Sequence, residues 1–592
     1  MSKVLLCSAL LVTVACGNSD SNPGGGSSGA GTTAGTSNNP TAGSAGTANP
    51  GGGQATTGGS TGTAGNAGNT PTGGVATGGG GAGTTAGTGG TPTAGTGGTP
   101  PAGDGSVTQR GADDARTSHW LAPTLTKANV MTKMAGDTDF KANFTGELTG
   151  SPLFLAGATP GTGHFFVATT ENDVYQLGEK DGAMGWKHNI GGYLASADVC
   201  GGDPKNHGIV STPIIDSAKK VIYVAAAMTD KHHEIHALST DTGMEVAGFP
   251  IDVSKIKAGN LAFPSGVQNQ RSALSLVKGI LYVAFGGYCG DQGAYHGWVI
   301  GVDTADPTKI GAWATMDNTQ AGIWAAGGMA SDGNGVFAVT GNAQGGNNHD
   351  TSDSEEIIRI TGLGVGNRDA KNMFYPTEWA NPMNSNDLDF GSASPTVVTV
   401  PGATPSTIIV APAKPGRVYF LDAANLGGSL GQFADTVVAG TNGQTIYTTP
   451  TAYTTATGVH VAISAGQGAQ CPGGNKDNVV MSMLLKPAAA GMPPMPTKSW
   501  CGAIGGGDTP KRSPISTNSS GANDPIVWYL NGGNLNGFDG EDGTLLYDSS
   551  KGATPLSCAG VHKFTTLIAT NGRIVAGGDV GGQGHLCSWS VH

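Results

Sequence analysis

The 592-residue chain is poor in charge and in aromatic rings: 12% of its residues are charged and 6% are Phe, Trp or Tyr. Bases are scarcer than acids, 30 Lys and Arg against 42 Asp and Glu, which leaves a formal charge of −12. A nucleic-acid surface needs clustered Lys and Arg, so the balance argues against that partner. Beyond the first residues no apolar run is long enough to span a bilayer, and long amphipathic helical patterns are absent. There is no Cys-x-x-Cys and no Cys-x-x-Cys-His, which argues against a zinc ribbon and against covalently attached c-type haem. Gly58–Gly62 and Gly78–Gly83 match the hydrolase elbow and the dinucleotide loop as strings, but with no strand before or helix after them, composition alone produces both.

These shortages are concentrated at one end. From Gly17 to about Thr108 the chain is almost wholly Gly, Thr, Ala, Ser, Asn and Pro, with two acids, Asp20 and Asp104, and no base. Such a stretch cannot bury enough apolar surface to offset its chain entropy and is expected to be disordered. Ahead of it, Lys3 and the apolar block Val4 to Ala15 read as an export signal over residues 1–15. Val12-Thr13-Val14-Ala15-Cys16 resembles a bacterial lipobox with Thr13 where Leu is usual; the resemblance implies cleavage before Cys16, lipidation of that thiol and an outer-membrane or cell-surface address, while a plain signal peptide for a periplasmic or secreted protein stays open. Residues 16–109 then become a flexible tether with a root-mean-square span of roughly 50 Å. Of the eight cysteines, six remain for the domain: Cys200, Cys289, Cys471, Cys501, Cys558 and Cys587. In an exported chain they favour disulfides, and although six allow fifteen pairings, the expected ones are 200 with 289, 471 with 501 and 558 with 587.

Residues 110–592 carry a repeat. A β-rich tetrad recurs eight times: Phe165–Ala168, Ile222–Ala225, Leu281–Ala284, Val336–Val339, Ile408–Ala411, His460–Ile463, Ile526–Tyr529 and Ile574–Ala576 with its neighbours. A second strand pattern follows each, as at Val174–Leu177, Ile235–Leu238 and Val418–Leu421, and then a tight-turn pair such as Asp181-Gly182 or Asp542-Gly543. The period is close to 60 residues. A unit of that size cannot shield both faces of its sheet alone, and radial stacking does it for all of them, so the expected architecture is an all-β, eight-bladed β-propeller. Seven blades plus an irregular segment is the alternative, because the last unit is short; a strand from ahead of Ser151 would complete it.

Tyr175-Gln176-Leu177, Asp181-Gly182 and Trp186 in that order resemble the blade repeat of the quinoprotein (PQQ) dehydrogenases. Asp114–His119, Cys200–Asp203 leading to Gly208–Asp216, Gly322-Ile323-Trp324, Thr340-Gly341-Asn342, Asp387–Ser392 and Ala413–Tyr419 resemble the exported PQQ-like propeller proteins. The resemblance spans residues 110–592 and implies the same eight-bladed fold. It also implies a calcium ion held against the quinone by Glu, Asn and Asp side chains, and a vicinal disulfide over it. This chain has no adjacent cysteines, and its sequence does not pick out the calcium trio.

Quinoprotein chemistry needs a base, cations for the quinone's carboxylates and a metal. Asp389 is the candidate base, with a turn carboxylate as the bland alternative. Arg116, Arg271, Lys414 and Arg512 stand near strand ends where they could face a central pocket for the quinone, or else tie blades together through carbonyls. Trp324 could stack on a planar ligand, or pack between blades. Asn342, with Asp350 and Asp353 nearby, could supply oxygens to calcium. Two functions follow as expectations. The first is an anchored, monomeric propeller lipoprotein that binds a protein or glycan partner. The alternative is a PQQ- and calcium-dependent dehydrogenase acting on an alcohol or sugar.

Overall fold

The computed structural model describes residues 105–592 apart from 200–203, 289–290, 317–319, 345–348, 350–351, 441–445, 506–510 and 552–553. The export signal, Cys16, most of the tether, Cys200 and Cys289 lie outside the described residues. Eight antiparallel sheets follow one another along the chain, and each of the eight tetrads forms the second strand of one of them. Blade 1 shows the plan: Leu153–Leu155, His164–Ala168, Asp173–Gly178 and Met184–Asn189 pair in sequence order. The first strands of the next seven blades are Ile214–Asp216, Ser275–Val277, Ala330–Ser331, Thr396–Thr399, Thr451–Thr455, Ile515–Asn518 and Ile568–Thr570. The protein is therefore an eight-bladed β-propeller.

Blade 8 supplies only three strands of its own, ending in Gln583–Val591. Met134–Gly136 and Asn143–Thr145 both pair antiparallel with that last strand, so the N-terminal side of the domain closes the ring and leaves blade 8 no bare edge. The short last unit is an eighth blade shared between the two ends of the chain.

The second and third strands are apolar on both faces because each blade is sandwiched between two others. Phe166 and Val174 of blade 1, for example, pack with Ile222 and Val224 of blade 2 in one buried cluster. Tryptophans add a directional tie. Trp186 of blade 1 donates from Nε1 to the Thr240 carbonyl of blade 2 at 3.0 Å and lies on Gly243. Trp500 of blade 6 does the same to Gly540 and Gly543 of blade 7, at 2.9 Å. Both glycines have positive φ, +72° and +77°, and a Cβ on either would come within 3 Å of the indole, so the Asp-x-Gly or Asp-Gly turn is a docking seat as well as a hairpin turn.

Gly105–Leu121 winds around the axis inside the ring of first strands and meets the blades in order. The Gly105 carbonyl accepts from Thr570 of blade 8, Val107 pairs with Phe154 of blade 1, and the Thr108 carbonyl accepts from Ile215 of blade 2. The carbonyls of Asp114, Ala115, Thr117 and Ser118 then accept from Ser331, Val397, Ala452 and Ser516 of blades 4, 5, 6 and 7. His119–Leu121 finally pairs parallel with the first strand of blade 7. This strap is a plug tied to blade after blade, and among the described residues its contacts with the blades start at Gly105. Among the described residues two disulfides are present, Cys471–Cys501 and Cys558–Cys587, each closing neighbouring strands of one blade or its lead-in. Among the described residues no helix is long and apolar enough to cross a membrane.

Candidate functional site

Connections that enter a blade's first strand, and those that leave its second, emerge at the same end of a propeller. Arg271, Trp324, Asp389 and Arg512 stand in connections of the first kind, and Asn342 and Lys414 in the second. Five of the seven sequence-derived candidates come together there.

Trp324 forms the platform. A Cβ on Gly286, Gly322 or Gly341 would lie 2.5, 2.7 or 2.2 Å from its ring, so three bare backbones let the indole settle against the wall of the site. Tyr295 packs edge-on against it with ring centroids 5.7 Å apart, Trp324 Nε1 donates to the Gly287 carbonyl at 3.3 Å, and the indole stays half-buried. Arg271 donates from Nε to the Trp324 carbonyl at 3.0 Å and lies over the Phe564 ring at 5.1 Å. Burial draws the Arg271 guanidinium down to about 10, and the Asp389 charge works against that fall.

Asp389 sits beside the platform. Lys414 Nζ reaches its Oδ2 at 3.0 Å and Asp387 Oδ1 at 2.9 Å, Ser392 Oγ donates to Oδ2 at 3.2 Å, and the Asn342 amide donates to Oδ1 at 3.1 Å. Both partners are buried, so this is a compensated charge held in place. Desolvation opposes the Lys414 charge, but the two aspartates outweigh it and hold its ammonium above the ordinary lysine range.

Glu355, absent from the sequence-derived set, lies directly behind. It is fully buried, its amide donates to the Gly341 carbonyl, and its Oε2 accepts from the Phe390 amide at 2.5 Å. Its backbone has φ +53°, a strained value for a side chain of this size. Desolvation first and the Asp389 charge second push its carboxyl well above the usual range. The signal in the sequence is Asp353-Ser354-Glu355-Glu356 abutting the core strand Ile357–Thr361: acids at the mouth of an apolar strand are buried acids.

Two candidates serve elsewhere. Arg116 belongs to the plug, fully buried, with its guanidinium bonded to the carbonyls of Met329, Arg110 and Leu274, to Gln109 Oε1 and to Ser275 Oγ. Arg512 donates to the Val561 carbonyl at 2.9 Å. Of the other expected calcium oxygens, Asp353 is in a bidentate pair with Arg368 and Asp350 lies outside the described residues. The one described cluster of three potential metal ligands, Cys558, His585 and Cys587, has its two sulfurs joined in a disulfide.

No family model matches the chain, and no curated protein does. Solved structures do. A quinohemoprotein alcohol dehydrogenase from Comamonas testosteroni has a TM-score of 0.55 at 14% identity, over 82% of this chain and 80% of that one. A second, from Pseudomonas putida HK5, has 0.56 at 11%, over 82% and 80%. A europium-containing methanol dehydrogenase has 0.54 at 14%, over 83% and 98%. The fold is that of the quinoprotein alcohol dehydrogenases.

The residues present can be tested against a quinone and a cation. A planar ring fits the half-buried indole seated on glycines, and Arg271 beside it, unopposed by any ion pair among the described residues, fits an acidic substituent. A divalent cation fits as well: Asn342 Oδ1 and Glu355 Oε1 are both buried without a hydrogen-bond partner among the described residues, close to the Asp389 carboxylate. Glu355, Asn342 and Asp389 supply the Glu, Asn and Asp types that the sequence left unassigned.

Proposed function

We propose that the protein is an exported, PQQ- and calcium-dependent propeller dehydrogenase that oxidises an alcohol or a sugar hydroxyl, with Asp389 as the base. The observation that carries this reading is the meeting of Asp389, Lys414, Asn342, Arg271 and Trp324 at one end of the propeller. A scaffold that only bound a partner on its loops would have no use for a buried, compensated carboxylate beside an aromatic platform, and this moves the balance from the first expectation to the second.

In this reading Trp324 would hold the ring of the quinone, Arg271 and Lys414 would supply the positive charge for its acidic groups, and Glu355, Asn342 and Asp389 would hold the cation. Bound there, the quinone supplies a two-electron acceptor for the substrate's hydrogen and the cation supplies positive charge at the quinone carbonyl. Asp389 would take the hydroxyl proton, through the Oδ1 that Lys414 does not hold. Lys414 and Ser392 keep the carboxylate from turning away. An external acceptor would take the two electrons, the part that the dye plays in the test below. Cleavage before Cys16 and lipidation of its thiol would place the domain on a tether at the envelope surface.

The test is titration of the purified chain with PQQ and calcium, followed by thermal unfolding and by dye-linked oxidation of a panel of alcohols and sugars. A ligand that binds only the folded state adds about 2.7 kcal/mol at a hundredfold excess over its Kd, visible as a rise in Tm. A rise together with dye reduction is the expected result; no rise at saturating PQQ would remove the dehydrogenase reading.

A further inference from the structure

Blade 8 and its lead-in bring together three side chains that the proposed site does not use. The sulfurs of Cys558 and Cys587 and a ring nitrogen of His585 all lie within 4.8 Å of one another. His585 and Cys587 stand two apart on the last strand of blade 8, so both project from the same face of it. The two cysteines are buried and His585 is half-buried. Among the described residues nothing hydrogen-bonds to the His585 ring. An imidazole without a partner, set against two sulfurs, is a donor set for a thiophilic cation.

The two sulfurs are joined to each other here, but the backbone keeps the three groups in place without that bond. The Cys558 amide donates to the Gly533 carbonyl of blade 7 at 2.9 Å, and the Asp579 amide of blade 8 donates to the Gly560 carbonyl at 3.1 Å. A Cβ on Gly578 would lie 2.2 Å from the Ala559 carbonyl, and one on Gly560 would lie 1.5 Å from the Asp579 carbonyl. The lead-in is therefore laid directly on the second strand of blade 8. That strand in turn pairs with the last one through Ala576 with Cys587 and Gly578 with His585. The Cα atoms of Cys558 and Cys587 are 5.8 Å apart. Two thiolates on one tetrahedral zinc lie about 3.8 Å apart, a separation that side-chain rotation reaches from this backbone.

We infer that, once the disulfide is reduced, Cys558, Cys587 and His585 form a zinc site of two thiolates and one imidazole, with one coordination position left for water. The exchange balances. A dithiol reductant gives two electrons to the Cys558–Cys587 bond and becomes a disulfide itself; zinc then binds the two thiolates and the imidazole nitrogen, and two protons leave. In the reverse direction a disulfide oxidant takes two electrons, the S–S bond forms, both Zn–S bonds break and the ion is released. Either form ties the lead-in to the strand that receives Met134–Gly136 and Asn143–Thr145, so the closure of the ring is stapled in both. The site shares no residue with the proposed quinone site and does not depend on that reading.

The test uses the purified full chain, either oxidised or reduced with dithiothreitol that is then removed without air, and titrated with cobalt(II) as the spectroscopic substitute for zinc. The expected result for the reduced chain is a thiolate-to-cobalt charge-transfer band with the intense visible bands of a four-coordinate ion, and a rise in Tm on adding zinc. The oxidised chain should show neither. Because Cys471 and Cys501 are reduced as well, Cys471→Ser with Cys501→Ser should keep the bands and Cys558→Ser should remove them. His585→Gln, which leaves both thiols, should weaken zinc at least about tenfold in competition with a chelating dye. If the variants do not fold, the oxidised and reduced wild-type chains decide by themselves: the same cobalt spectrum and Tm response in both overturns the inference. So does a reduced chain that takes up no cobalt, or a His585→Gln variant that binds zinc as tightly as the wild type.

Discussion

Asp389 accepts from Lys414, Ser392 and the Asn342 amide at once, so its position is fixed before any ligand arrives. Asp389→Asn keeps the shape and removes the base; dye-linked turnover should fall by about 10² to 10⁴-fold while the Tm response to PQQ remains, a split that separates catalysis from binding. Trp324→Ala should act the other way, weakening PQQ about tenfold by equilibrium titration, since a stacked ring contributes on the order of 1 kcal/mol beyond its area. Glu355 gives a pH signature. Its folded carboxyl is held above the ordinary value near about 4.3, so in calcium-free protein it contributes stability below that pH and loses it as pH rises through the folded value. Tm should therefore fall over that interval, and Glu355→Gln should flatten the fall; an unchanged slope in the variant would assign the effect to other groups.

Blade-to-blade docking is where the repeat becomes energy. Trp186 contributes both ring contact with Gly243 and a hydrogen bond to Thr240, so Trp186→Ala should cost about 2–4 kcal/mol in denaturant unfolding. Gly243→Val combines a clash with a positive φ and should be no milder. Both disulfides among the described residues lie in the last third of the chain, and Cys558–Cys587 staples the lead-in of blade 8 to the strand that receives the N-terminal closure. Mutating that pair to Ala should lower stability by roughly 2–4 kcal/mol. The turn glycines were legible as turns; their second use as seats for tryptophan was not, because the partner lies in the next blade about 60 residues away.

At the scale of the molecule, the ring is held shut at its rim and around its axis by the same N-terminal segment. Removing residues 1–104 should leave Tm unchanged, because every described bond of the strap to a blade lies at or after Gly105. Removing residues 1–122 takes away the plug with hydrogen bonds to at least six blades and should lower Tm by well over 10 °C in a thermal melt, with a loss of cooperativity. An equal Tm for the two truncations would show that the strap is a passenger.

Periodicity is a local property, so the sequence determined the number of blades, their second strands and their turns. Each tetrad needs burial on both faces, and that requirement can be read from the tetrad itself. Composition likewise marked the long polar stretch ahead of the domain. Which charged side chains meet was decided by the closure of the ring, since residues from blades 3, 4 and 5 become neighbours only when their connections emerge at one end. Asp389, Trp324 and Lys414 could be proposed from short motifs. Arg116 could not be told from a pocket arginine, because its carbonyl partners belong to distant parts of the chain, and Glu355 acquires meaning only through its burial behind Asp389, a property of the folded ring.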